Sequence, residues 1–211
     1  MKIKVSRFMA EQYANPSGLF GRLITAGLLN RANQRSNQAV YKALDIQPQH
    51  RTLEVGFGGG SLLFQIARHS GSSEVYGIEK SQSMLQRAQA KIQGDKKLSA
   101  IKLSFAGIDS LPYEDAYFDR ICSVNTLYFW PDLQRGCKEL ARVSADNALL
   151  VLGFGSGEKL AASGYTEKGF SFYKPGFIHQ AIAEAGLSLV NEQRIERKAK
   201  DPFFVSTYRK N

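Results

Sequence analysis

Leu53-Glu54-Val55-Gly56-Phe57-Gly58-Gly59-Gly60 carries more structural information than any other part of the chain. A short apolar run breaks into glycines, and Leu62, Leu63, Ile66 and Ala67 then repeat at helical spacing. That order is strand, tight turn, helix. Glycine has no side chain in the way, so the backbone N–H groups of such a turn approach a ligand closely. The same kind of turn serves pyrophosphate in dinucleotide enzymes, where the third glycine falls three residues after the second. Here the spacing is Gly-x-Gly-x-Gly, and Ser61 stands at the dinucleotide-type third position.

The acidic residues narrow the ligand. Glu54 precedes the glycines by two positions, where a carboxylate faces the turn and can hold an ammonium group directly or through water. Glu79 ends the next apolar run, 79 − 54 = 25 residues on, placed to accept both hydroxyls of a ribose. Carboxylates at two successive strand ends favour an adenosyl ligand without phosphates.

With these residues the sequence resembles the class I S-adenosylmethionine-dependent methyltransferases, and more narrowly the small-molecule group of the ubiquinone/menaquinone-biosynthesis type. The resemblance spans roughly Thr52–Val151. It rests on Leu53–Gly60, on Gly77-Ile78-Glu79-Lys80-Ser81 and on Leu111-Pro112-Tyr113-Glu114-Asp115-Ala116-Tyr117-Phe118-Asp119, close to the family's LPFxDxSFD. It implies S-adenosyl-L-methionine as cofactor and a Rossmann-like α/β fold: a seven-stranded, mostly parallel sheet with helices on both faces and an antiparallel last strand. By position, Glu54 serves the methionyl amine and Gly56, Phe57 and Gly58 form the loop that floors the cofactor. Glu79 takes the ribose, and Lys80 and Met84 surround the adenine. Asn125, in Ser123–Tyr128, is either a polar contact to the methionine portion or a turn residue. The family carries an acidic residue before a small one in the adenine loop, whereas Gly107-Ile108 stand there and Asp109 comes two later. Either the loop shifts to let Asp109 reach the adenine amine, or backbone groups alone hold the ring.

Outward from this centre, βα alternation continues. Strands are expected at Thr52–Val55, Glu74–Glu79, Leu98–Phe105, Phe118–Val124 and Ala148–Phe154, then Gly186–Arg194 and Pro202–Arg209 as a closing hairpin. Helices are expected at Ser61–His69, from Ser81 as cap, from Asp132 as cap, and at about Lys174–Ala185, with Pro175 suiting the first turn and Gly186 the stop. Residues 1–50 read as an amino-terminal helical extension on a core of residues 51–211, the whole forming one domain. Leu19, Phe20, Leu23, Ile24, Leu28 and Leu29 make an apolar helix face in residues 19–31, either packed on the domain as a lid or presented to a membrane surface or partner.

The chain has 211 residues, with 28 Lys+Arg against 19 Asp+Glu, a formal charge of +9 that attracts anions without choosing among them. Two cysteines, Cys122 and Cys137, exclude a disulfide framework and favour a reducing, cytoplasmic setting. No secretion signal or membrane span is read. His50, His69 and His179 are scattered, so no metal site is expected.

Methyl transfer from a sulfonium is an in-line displacement with a neutral leaving group, so alignment and exclusion of water dominate and a general base is optional. Tyr13, Tyr128, Tyr173 and His179 are conceivable bases, none singled out by a motif. A small-molecule acceptor, partly aromatic or apolar, is expected to meet Tyr13, Tyr128, Trp130 and Tyr173. Tyr128-Phe129-Trp130 serves equally well as core. The charge keeps an RNA or other nucleic-acid methyltransferase as a rival, but Ser123-Val124-Asn125-Thr126-Leu127-Tyr128 lacks the Asn/Asp-Pro-Pro-aromatic pattern of exocyclic-amine methylation. A non-catalytic S-adenosylmethionine-binding protein is the second rival. An NAD dehydrogenase is disfavoured by Glu54 and the glycine spacing, and arsenite methylation by the cysteine count.

Overall fold

Arg51–Val55 forms β1 at the centre of a seven-stranded sheet of order β3-β2-β1-β4-β5-β7-β6. The other strands are β2 (Glu74–Glu79), β3 (Ile101–Phe105), β4 (Phe118–Val124), β5 (Ser144–Gly155), β6 (Leu187–Ile195) and β7 (Phe203–Lys210). The computed structural model describes residues 34–69, 71, 74–156, 171–196 and 202–210. Tyr13, the apolar face in residues 19–31 and most of the connection after β5 lie outside them. The described helices are α1 (Gln34–Ala43), α2 (Ser61–His69), α3 (Gln82–Gln93), α4 (Leu133–Val143) and α5 (Pro175–Glu184). Their apolar residues form two cores, one on each face of the sheet. One lies under α4 and α5, around Leu53, Ile121, Leu140, Leu150, Ile182 and Tyr208. The other lies under α1, α2 and α3, around Val40, Leu63, Leu85, Val151 and Phe203. Val40 and Leu44 are fully buried, so residues 34–44 of the expected extension are part of this second core.

β1 pairs in parallel with both β2 and β4, and β4 pairs in parallel with β5. β7 runs antiparallel to both of its neighbours, as the closing hairpin suggested. Connections leave β1 towards β2 on one side, while β4 lies on the other. That reversal opens a crevice at the carboxyl ends of β1 and β4, where open α/β sheets bind ligands.

Two boundaries differ from expectation by more than one residue. Leu98 does not begin a strand; it closes a 3₁₀ turn, Lys96–Leu98, whose start is capped by Asp95 accepting from the Lys97 N–H at 3.0 Å. It is nonetheless fully buried, which is why its apolar character reads as strand. β5 begins at Ser144, directly after α4, because Ser144, Asp146 and Asn147, polar residues outside the apolar run, lie in the strand; the β4–β5 register shifts there and Asn147 sits at φ +61°. The carbonyls at the end of α4 are met by Ser144 Oγ on Leu140 O at 2.6 Å and by Lys210 Nζ on Ala141 O at 2.7 Å. A cation at that helix end also interacts favourably with the negative end of the helix dipole.

Ser81 holds the N-cap position of α3 without a side-chain capping bond. Glu79 accepts the N–H of Ser81 itself at 2.9 Å and so ties the end of β2 to the start of α3. Asp132 caps α4 through the Arg135 N–H at 3.0 Å, and Pro175 opens α5. Gly186 follows α5 at φ +95°, a conformation that glycine adopts freely.

Candidate functional site

The loop after β1 is shaped by what crowds it. Gly56 sits at φ +72°, and a Cβ there would lie 2.6 Å from Thr126 Cγ2, so only glycine lets the loop after β4 close against it. Gly58, at φ +51°, faces open space among the described residues: a Cβ would meet none of their atoms within 4 Å. Its N–H donates to Glu79 Oε2 at 2.8 Å, and Glu79 Oε1 takes Ser81. One carboxylate thus ties the glycine loop to the start of α3. Phe57 adds only its backbone, because its ring is buried in the second core.

Glu54 is 4% exposed, near the end of β1 between Gly77 and Cys122 of the neighbouring strands. The Leu63 backbone amide, in the first turn of α2, favours the charged form of Glu54, the smallest influence on it. Its Oε2 is buried without a partner. Desolvation, reinforced by the Glu79 charge, pushes the carboxyl up to about 8. The Cys122 thiol is raised in the same way, by burial first and by Glu54 second.

The adenine loop departs from the family pattern in a way its geometry explains. A Cβ at Gly107 would lie 2.6 Å from Asp109 Oδ1, so the Asp109 carboxylate fills the volume that a side chain at 107 would enter. Arg135 Nε fixes the turn by donating to Asp109 O at 2.9 Å. Ile108 turns into the first core beside Gly136 and Trp130. Lys80 crosses this side of the crevice to Phe129, with Nζ 3.3 Å from the Phe129 carbonyl and 5.6 Å from the ring centroid. Met84 is buried on α3.

Beyond β4, Asn125 has φ +57° and donates its N–H to Gly153 O at 2.8 Å. A left-handed asparagine there is a turn residue in its backbone. Thr126 bonds Ser123 through its hydroxyl, and that hydroxyl also accepts Trp130 Nε1 at 3.1 Å. Trp130 is a core residue, packed on Gly136 and Ile108. Tyr128 is 8% exposed, and its hydroxyl accepts the Gly155 N–H at 2.6 Å while donating to Gly155 O at 3.3 Å. A phenol held on both sides is a brace between the loop and β5, not a base awaiting a proton. The return segment rests on it: Ser171 N–H donates to Tyr128 O at 3.0 Å, and the Phe172 ring lies 5.5 Å from Tyr128. Tyr173 stacks on Phe177 at 5.7 Å.

His179 is not with this group. Its Nδ1 lies 2.8 Å from the Tyr208 hydroxyl and its Nε2 3.0 Å from Glu192. Tyr208 pairs with Leu150, five residues before Gly155, so this cluster lies about 16 Å down the strand from the crevice at about 3.3 Å per residue. Thr126, Gly155 and Arg135 carry no motif of their own. They matter here because tertiary contacts bring them to the loops, and only the glycines hinted at how close those contacts are.

A glycine loop at the topological switch point, flanked by carboxylates on β1 and β2, defines a Rossmann-like domain of the adenosyl-binding class. Residues 53–152 match the family described as "Methyltransferase domain", and this region is of the class I S-adenosylmethionine-dependent methyltransferase type. It is 30% identical over 124 residues to methyltransferase GfsG of Streptomyces halstedii, covering 59% of this chain and 44% of that protein. It is 32% identical over 103 residues to the 2-phytyl-1,4-naphtoquinone methyltransferase of Trichormus variabilis, covering 48% of this chain and 45% of that protein. The chain therefore spans less than half the length of these two curated relatives. The crystal structure of a SAM-dependent methyltransferase from Aquifex aeolicus superposes with a TM-score of 0.70 at 19% identity, over 87% of this chain and 96% of that one, and so shares the fold.

Proposed function

We propose that this protein transfers a methyl group from S-adenosylmethionine to a small, partly aromatic or apolar acceptor. The observation that carries the reading is the pair of buried carboxylates around Gly58: Glu54 with an oxygen unpartnered, and Glu79 tied to the loop. These residues fit the cofactor. The open side of Gly58 leaves room for a ligand against the loop, and the Glu54 carboxyl group has acceptor capacity left for an ammonium. When bound, the cofactor supplies an electrophilic methyl on a sulfonium. The chain's own residues then bind and align. Glu54 takes the methionyl amine, the Gly56–Gly58 backbone floors the loop, and Glu79 uses its remaining lone pairs for the ribose. Asp109, filling the place of a side chain at 107, takes the adenine amine, with Lys80 and Met84 bordering the ring. Asn125 lies along the methionine portion.

On the acceptor side, Tyr128 braces the wall through Gly155, and Tyr173 with Phe177 offers a flat apolar surface. Tyr13 is proposed only from the sequence. The curated relatives named for quinone and other small acceptors support a small-molecule substrate. Among the described residues no helix is long and apolar enough to cross a membrane. Both cysteines are buried and unpaired, which supports a cytoplasmic setting.

The test is calorimetry with S-adenosylmethionine, followed by release of S-adenosylhomocysteine against a panel of phenols, quinols and carboxylic acids. Binding with turnover is expected, and Glu79→Ala should weaken binding about tenfold or more, the scale of a lost charged acceptor. Absence of binding refutes the reading, and binding without turnover on any acceptor, RNA included, makes the protein a non-catalytic binder.

A further inference from the structure

Glu54 is oddly placed for a residue that meets a cation. It lies inside the sheet, 4% exposed, with Oε2 buried and without a partner. An ionised carboxylate with a bare buried oxygen is costly, and a buried acid avoids the cost by keeping its proton. The groups facing it do not help. From the end of β2 comes Glu79, a like charge; from β4 comes the Cys122 thiol; from α2 comes only a backbone amide. The nearby cation, Lys80, is exposed and turned to Phe129.

We propose that Glu54 is a proton-exchanging specificity residue: it is a neutral acid in the cofactor-free protein and ionises when an amino-acid ammonium settles against its carboxyl group, so the site distinguishes adenosyl ligands that carry this arm from nucleosides that lack it. The inference rests on the cofactor assignment above. On binding, the O–H bond of Glu54 breaks, its electron pair stays on the carboxylate and the proton passes to buffer, while the ligand's ammonium keeps all of its protons. Burial and the Glu79 charge, which together hold the acid up to about 8, set the pH range in which this exchange occurs. Below that range each pH unit makes ionisation easier, so affinity for the amino-acid-bearing ligand should climb about tenfold per unit. The rise should level off near about 8, above which Glu54 is already ionised without a ligand.

The experiment is titration calorimetry of the full chain at about pH 6.5, where an α-amino group is almost wholly protonated, in buffers of high and low ionisation enthalpy. The ligands are S-adenosylhomocysteine and 5′-methylthioadenosine, which has no amino-acid arm. About one proton should be released per S-adenosylhomocysteine and none with methylthioadenosine. Glu54→Gln should abolish the release and flatten the pH dependence. Should that variant fail to fold, the infrared carbonyl band of a protonated carboxyl in the unaltered protein serves instead, and should vanish as S-adenosylhomocysteine saturates. Binding of S-adenosylhomocysteine with no proton released, or an unchanged infrared band, overturns this proposal and leaves the cofactor assignment standing. Failure of both ligands to bind overturns the assignment, and this proposal with it.

Discussion

Asp109 and Gly107 lie against each other where the family pattern carries an acidic residue before a small one. With no side chain at 107, the carboxylate from two residues on folds back over the glycine, and Arg135 holds the turn that aims it. If that carboxylate accepts the adenine amine, Asp109→Ala should weaken S-adenosylhomocysteine about tenfold, the scale of one charge-assisted hydrogen bond. Gly107→Asp alone sets a new side chain 2.6 Å from Asp109 Oδ1 and should also weaken binding. Joined with Asp109→Ala it should restore affinity, as calorimetry on the three variants would show. Equal affinity in all three would leave adenine to backbone groups alone. The departure at 107 was visible in the sequence. Its resolution was not, because folding back of one side chain depends on the turn that Arg135 fixes.

The segment Leu111–Asp119 and α4 form one unit through Arg142. That guanidinium donates to Leu111 O at 3.0 Å, Tyr113 O at 2.8 Å and Asp115 Oδ1 at 2.7 Å, and it pairs with Glu139 at 2.8 Å. Glu139 in turn accepts the Leu111 N–H at 2.8 Å. The Arg142 contacts hold the Glu139 carboxyl below its ordinary range. Two carbonyls of a partly buried loop thus depend on one side chain, and the fork geometry of arginine is what reaches both. Arg142→Met should cost about 2–3 kcal/mol of stability, the sum of a few charge-assisted bonds net of solvation. Chemical denaturation would measure it, and hydrogen exchange should rise in residues 106–117 before it rises in β1. A loss confined to α4, with the loop still protected, would contradict the anchoring role. In the sequence this segment reads as a family motif. Its physical task, as a strap beside the adenine loop, emerges only with Arg142, which stands 27 residues beyond Asp115 and meets it through the fold.

At the scale of the whole molecule, Glu54 couples stability to pH. Its folded pKa of about 8 lies above its ordinary value, so between the two the folded state holds more protons than the unfolded chain. Stability from this group is complete below the ordinary carboxylate range and falls as pH rises towards about 8, by a few kcal/mol at most. Glu74 and Glu139 act in the opposite sense, being held low by Lys102 and Arg142 respectively, so their contribution disappears in acid. The cofactor-free protein should therefore be most stable on the acid side of neutrality. Glu54→Gln, which keeps the shape without the charge, should flatten the decline between about pH 5 and 8, an interval set by the ordinary and shifted values. Denaturant midpoints across that range would show it; an unaltered slope in the variant would place the titration elsewhere.

Chain order was enough for the strand, turn and helix around Leu53–Gly60, the βα alternation and the closing hairpin, because these follow from local periodicity and from glycine and proline at particular places. It was enough, too, to mark Glu54 and Glu79, since their distance from the glycines is a matter of position along the chain. What each group meets became fixed only in three dimensions: Thr126 crowds Gly56, Tyr128 is spent on Gly155, Trp130 is core and His179 belongs with the β6–β7 hairpin. The oxygen that Glu54 keeps without a partner is of the same kind. Such facts arise from residues far apart in the chain closing on one another, and burial, which sets the charge state of Glu54, exists only once they have closed.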